Sequence, residues 1–121
     1  MRLLLDTHTF LWWDEGKLPT KVVRAIRGAE QILVSAASAW EVAIKAGLGK
    51  IAVHGSFNDA VNDYGFDELP IRFNHAELVR ALPPLHRDPF DRMLMAQAQT
   101  EEVPIISNDR IFDAYHVQRV W

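Results

Sequence analysis

Residues 1–16 read MRLLLDTHTFLWWDEG, and the stretch turns at Asp6. Arg2 to Leu5 is a short apolar run suited to a strand. Thr7 to Asp14 then has room for about two helical turns before Glu15 and Gly16 break it. A strand that runs directly into a helix is the repeating unit of an α/β sheet, and the same succession recurs downstream.

Lys21 to Arg27 places Val22, Val23 and Ile26 on one helical face, and Ile32 to Val34 follows as a second apolar strand. Ser35 to Leu48 is expected to be helical, with Trp40, Ile44 and Leu48 spaced i, i+4 and i+8, closing at Gly47 or Gly49. A helix over Phe57 to Tyr64, a short strand at Asp67 to Leu69 and a helix over Asn74 to Leu82, stopped by Pro83 and Pro84, come next. Phe90 to Thr100 carries the strongest helical stripe: Phe90, Met93, Leu94, Gln97 and Ala98. Pro104 to Ile106 reads as a strand, Asp109 to Tyr115 as a helical turn or two, and Val117 to Val120 as a terminal strand. The expected fold is a single α/β domain over residues 1–121, a mostly parallel central sheet flanked by helices on both faces. In that architecture the carboxyl ends of the strands line the functional crevice.

Composition narrows the function. The chain has 121 residues, 49% of them hydrophobic, enough for one continuous core and free of repeats or low-complexity linkers. With no cysteine, a disulfide framework, a thiolate nucleophile and a zinc–thiolate centre are all excluded, and cytoplasmic placement is the default. The apolar start is interrupted at Asp6, too early for a secretory segment, and no stretch approaches the ~20 apolar residues of a membrane span. A soluble protein is expected. Its 13 Lys and Arg against 16 Asp and Glu lack the bias of a protein that coats nucleic acid, so a polyanion would have to be handled at a local site with metal-neutralised carboxylates.

The acidic residues supply such a site. Asp6 follows three leucines, where an ionised carboxylate is costly unless compensated, although it could simply cap the helix after it. Glu41 fits a capping box with Ser38 and could pair with Lys45 one turn on. In HRDPFDRML, Pro89 starts a helix, Asp88 fits its cap and Asp91 lies one turn further in. Asp109 sits in a turn after the Pro104 to Ile106 strand. Each has an ordinary explanation, yet together they gather at helix beginnings on one edge of the expected sheet. A ring of carboxylates there would repel itself without a cation, and hard oxygen ligands suit Mg²⁺ or Mn²⁺. Histidines 8, 54, 75, 86 and 116 show no H-E-x-x-H spacing, and no G-x-S-x-G elbow or phosphate-cradling glycine loop is present.

In order and spacing, LLLDT with Asp6, SAWEVAIKAGLGK with Glu41, HRDPFDRMLMAQA with Asp88 and Asp91, and IISND with Asp109 resemble the motifs of PIN-domain ribonucleases, specifically VapC-type toxins of bacterial toxin–antitoxin pairs. The likeness spans essentially the whole chain. It implies an endoribonuclease dependent on one or two Mg²⁺ or Mn²⁺ ions, a homodimer restrained by a cognate antitoxin. It also implies an acidic quartet of Asp6, Glu41, Asp91 and Asp109 as metal-holding and catalytic residues. Asp88 is either a further ligand or a cap. Ser107 stands where many relatives carry Thr, which keeps the hydroxyl. Lys45 and Arg92 are candidates to hold substrate phosphates, against their ordinary reading as solvated helix charges. Trp12, Trp13 and Trp40 are read as core or interface rather than base-stacking platforms, and Trp12 and Trp13 cannot both face one core.

Two rivals bear on function. LLLDTHT also resembles haloacid-dehalogenase-type phosphatases, but the second aspartate they need two residues later is His8 here. A non-catalytic module binding RNA or protein through the same fold is the other, and the intact quartet argues against it.

Overall fold

The computed structural model describes all 121 residues, Met1–Trp121. Its centre is a five-stranded sheet built from β1 (Arg2–Leu5), β2 (Gln31–Ser35), β3 (Asp67–Leu69), β4 (Ile105–Ile106) and β5 (Arg119–Val120), ordered β3-β2-β1-β4-β5. Every pairing is parallel. β1 lies in the middle, with Leu5 opposite Val34 on one side and Ile106 on the other.

The alternation of side chains along β1 and its neighbours produces two cores. Leu4, Leu33, Leu69 and Ile105 point to one face, while Leu3, Leu5, Ile32, Val34 and Ile106 point to the other. α5 (Phe73–Ala81) and α6 (Pro89–Glu101) cover the first face with Leu82 and the Phe112 and Tyr115 segment. α1 (Thr7–Glu15), α2 (Thr20–Gly28) and α4 (Phe57–Asp63) cover the second through Phe10, Val22, Ile26 and Val61. A sheet buried on both sides explains why its strands read as unbroken apolar runs.

α3 (Ala36–Gly47) packs on α1 and α6 and lies across the carboxyl edge of the sheet. Buried polar groups set its position relative to α6. Ser35 caps α3, its Oγ accepting the Ala37 N–H at 3.0 Å, and donates its hydroxyl to Gln97, which is fully buried on α6. The Gln97 amide in turn donates to the Pro70 carbonyl at 3.3 Å. Fully buried His75 ties α5 to α6: its Nδ1 accepts the Arg72 N–H at 3.0 Å and its Nε2 lies 3.3 Å from Glu101.

The expected elements all form, with two differences in packing and several in length. The spacing of Trp40, Ile44 and Leu48 is helical, but that stripe faces outward, with Trp40 59% and Leu48 65% exposed. The inward face of α3 carries Ala37, Ser38, Glu41 and Val42, because the small residues allow close approach to α1 and α6. The centre of α6, Leu94 through Ala98, is buried all round rather than along one stripe, since it lies between sheet and neighbouring helices. β4 and β5 are two residues each, and Arg110–Ala114 is a 3-10 turn. No helix is long and apolar enough to cross a membrane.

Candidate metal centre

At the carboxyl end of β1 the chain leaves the sheet at Asp6 and enters α1 at once. Asp6 does cap that helix, Oδ1 accepting the Thr9 N–H at 2.8 Å, but its second oxygen has separate work. Oδ2 accepts the hydroxyl of fully buried Ser107 at 2.5 Å, and Ser107 Oγ accepts the Asp109 N–H at 2.9 Å. Ser107 therefore locks the ends of β1 and β4 together and holds Asp6 and Asp109 beside one another. Burial pushes the Asp6 carboxyl above the usual range, and the bonds from Ser107 and Thr9 oppose that shift.

Glu41 is 4% exposed, an extreme burial for a carboxylate. The expected capping box does not form: Ser35 caps α3, and Ser38 accepts the Thr7 hydroxyl at 2.9 Å instead. Lys45 does pair with Glu41, Nζ to Oε2 at 2.6 Å, which raises the Lys45 pKa. Oε1 has no hydrogen-bond partner at all. A buried carboxylate oxygen left bare costs on the order of 1–3 kcal/mol or more, so its persistence points to a partner of another kind.

Asp88 caps α6 through Oδ1, which accepts the N–H groups of Phe90 and Asp91 at 2.8 and 3.1 Å. That frees Asp91, one turn in, to face the site. Its carboxyl is pushed up to about 6, by burial first and then by the negative charges of Asp88 and Asp6, while a hydrogen bond with His86 acts against the shift. The same electrostatics bring the charges of Glu41, Asp88 and Asp91 to bear on Lys45. Electrostatics thus link Asp6 to Asp91, and Glu41 and Asp91 to Lys45, but Asp6, Glu41 and Asp91 are not drawn into one tight ligand group; the close-set ligand atoms are those of His86, Asp88 and Asp91.

Asp109 stands apart from that group. It is exposed, and its Oδ1 caps the 3-10 turn by accepting the Ile111 N–H at 2.9 Å. It shares with Asp6, His8, Trp12 and Asn108 a shallow cavity of about 240 Å³. The two adjacent tryptophans divide as their spacing requires. Trp13 packs on the core, and Trp12 lines this cavity beside His8, ring centroids 5.8 Å apart.

Arg92 does not present its charge to the site. Its Nη1 donates to the carbonyls of Pro83 and His86, and its Nη2 to those of Val79 and Leu82, at 2.9 to 3.3 Å. A guanidinium has a fixed fork of donors, and here the fork stitches the segment between α5 and α6 to α6. The expected phosphate contact is corrected to that structural role.

His86 is the residue that the sequence reading passed over. Its Nε2 lies 2.8 Å from Asp91 Oδ2, and ligand atoms of His86, Asp88 and Asp91 all fall within 4.8 Å of one another. The usable signal was its place two residues before Asp88 and five before Asp91, where a loop residue meets the first turn of a helix.

The donor set fits a hard divalent cation: several carboxylates, no thiolate, burial that destabilises their charges, and an orphaned oxygen on Glu41.

Comparisons with known proteins agree with this architecture. No curated protein matches the sequence at a significant level. Among solved structures, VapBC2 from Rickettsia felis, bound to a DNA fragment from its promoter, superposes with a TM-score of 0.75 at 11% identity, covering 99% of this chain and 98% of that one. A toxin–antitoxin complex from Klebsiella pneumoniae gives 0.66 at 19% identity, covering 98% and 96%. FitAcB from Neisseria gonorrhoeae gives 0.66 at 18%, also covering 98% and 96%. Identities this low carry the fold alone. The family model for the PIN domain, however, matches residues 3–117 of the sequence itself, and the chain belongs to the PIN-domain family.

Proposed function

We propose that this chain is a Mg²⁺- or Mn²⁺-dependent endoribonuclease, the toxin of a toxin–antitoxin pair. The observation that carries the reading is the bare Oε1 of buried Glu41, in a region where burial raises Asp6, and burial together with the charges of Asp88 and Asp6 raises Asp91. Carboxylates arranged at such cost, with Lys45 meeting only one oxygen of Glu41, would be relieved by a further positive charge. Asp6, Glu41 and Asp91 would hold the cation, with Asp109 completing the shell from the rim. A divalent ion there supplies Lewis acidity toward the phosphodiester and makes an attacking water easier to deprotonate.

The protein's own groups set the geometry. Ser107 and Thr9 orient Asp6, and the α6 cap keeps Asp88 from swinging away from Asp91. Lys45 neutralises one oxygen of Glu41 and, being partly exposed, would be the group to meet a substrate phosphate. Water attacks the phosphorus in line, the bond to the 3′ oxygen breaks, and the products are a 3′-hydroxyl and a 5′-phosphate.

The toxin reading draws support from a solved structure of the same fold, the toxin–antitoxin complex from Klebsiella pneumoniae. An antitoxin would restrain the activity in the cytoplasm. A homodimer would cover the outward stripe of Trp40, Ile44 and Leu48. PIN membership displaces the phosphatase alternative.

The deciding experiment is cleavage of a labelled RNA pool by antitoxin-free protein with Mg²⁺, Mn²⁺ or EDTA. Cuts are expected with either metal, none with EDTA, and a loss of more than about 100-fold in both Asp6→Asn and Asp91→Asn. Cleavage that survives EDTA or both substitutions would overturn the assignment. Binding of RNA without turnover by folded wild type would make the chain a non-catalytic module.

A further inference from the structure

We infer that His86 is a nitrogen ligand of the ion that Asp91 holds, and that it tilts the site toward Mn²⁺ over Mg²⁺. The inference rests on the metal-dependent reading above and adds a donor outside the acidic quartet.

The segment that carries His86 has no regular secondary structure, yet its backbone is held from both sides. The His86 N–H donates to the hydroxyl of buried Tyr115 at 3.0 Å, and that hydroxyl donates to the Pro83 carbonyl at 2.9 Å. The His86 carbonyl accepts from Arg92 at 3.2 Å, alongside the three other carbonyls that the same guanidinium binds. The imidazole is thereby set with Nε2 2.8 Å from Asp91 Oδ2 and within 4.8 Å of a ligand atom of Asp88.

A second observation, on the neighbouring helix, points to a cation nearby. On α3, which packs against α6, buried Glu41 has Oε1 without a hydrogen-bond partner, and Lys45, bonded to its other oxygen, is close enough to feel the charges of Asp88 and Asp91. The cluster itself offers two carboxylates and one imidazole. Ligation requires the hydrogen now shared between Nε2 and Oδ2 to leave, with Nδ1 carrying the proton of the neutral ring. Mg²⁺ takes oxygen ligands almost exclusively, whereas imidazole binds more favourably to transition metals, so one nitrogen donor discriminates between the two ions.

The test uses MnCl₂ on the full chain. Electron spin-echo envelope modulation of the Mn²⁺-loaded protein should show directly coordinated ¹⁴N, and the signal should vanish in His86→Ala while Mn²⁺ still binds. In parallel, Mn²⁺ affinity from EPR titration should fall about 10-fold or more in His86→Ala, with Mg²⁺ affinity by competition changed less than about 3-fold. His86→Gln, which keeps a polar group of similar reach, should also lose the nitrogen signal. Circular dichroism checks that both variants fold, which the backbone anchoring of residue 86 favours. Bound Mn²⁺ with no nitrogen coupling, or coupling that persists in His86→Ala, overturns the ligand assignment and leaves the nuclease reading standing. No Mn²⁺ binding at all by folded wild type overturns both.

Discussion

The two halves of the acidic site are built on opposite terms. On the β1/β4 side, Asp6 and Asp109 are each satisfied by protein donors, Thr9 and Ser107 for the first and Ile111 for the second. On the α3/α6 side, Glu41 keeps one bare buried oxygen and Asp91 is pushed up to about 6. The first half is the better satisfied, although burial still raises Asp6, while the second combines a bare buried oxygen with a carboxyl pushed up by burial and by neighbouring charge. A site that must bind and release a metal needs both: fixed ligands to define its position and underpaired ligands to supply the driving force.

The comparison is broken or sharpened most strongly by metal itself. Mn²⁺ at about 100 times its dissociation constant should stabilise the wild type by about 2.7 kcal/mol in urea denaturation. Asp91→Asn should gain little from the same addition. If the variant gains as much as the wild type, the strained half is not where the ion sits.

Ser107→Ala and Asp91→Asn should move stability in opposite directions in the metal-free protein at pH 7. Removing the Ser107 hydroxyl strips Asp6 Oδ2 of its donor and Asp109 N–H of its acceptor, at a cost of about 1–3 kcal/mol. Asp91→Asn removes a charge that the fold disfavours and should stabilise by on the order of 2 kcal/mol. Like-signed changes from the two would erase the distinction between the halves.

The pH dependence follows from the same carboxyl. Its folded pKa of about 6 lies above the ordinary 3.8, so the folded state keeps its proton longer than the unfolded chain. The contribution of Asp91 to stability is thus fully present below pH 3.8 and is lost as pH rises through about 6. The stability difference between wild type and Asp91→Asn, measured without metal, should be near zero at about pH 4 and open as pH rises toward 7. A difference independent of pH would mean that the carboxyl is not strained.

The smallest effect is expected outside both halves. Trp40 stands outward and meets Phe90 edge-on, centroids 5.1 Å apart, so Trp40→Ala should change monomer stability by less than about 1 kcal/mol. It should weaken self-association in sedimentation velocity and leave the Mn²⁺ response intact. Unaltered association would remove this stripe from the homodimer proposal.

Local pattern determined much of the protein. Apolar runs that end at acids, helix caps and proline or glycine stops were enough to place every element and to read a parallel sheet with a functional edge, because these features depend on neighbours within a few residues. They also set Asp6, Asp91 and Asp109 at helix beginnings, whereas Glu41 falls in the middle of α3. Tertiary packing decided the rest. A period of 3.6 identifies a helix without saying which side faces the core, so the Trp40, Ile44 and Leu48 stripe could only be placed outside once Ala37, Ser38 and Val42 were seen against α1 and α6. Arg92 looked like a solvated charge or a phosphate holder until four carbonyls, brought together by the packing of α5 on α6, claimed it. His86 matched no ligand spacing because its contact with Asp91 is made by a loop whose shape depends on Tyr115, 29 residues away. Hydrogen bonds that span such separations leave no periodic trace in a sequence.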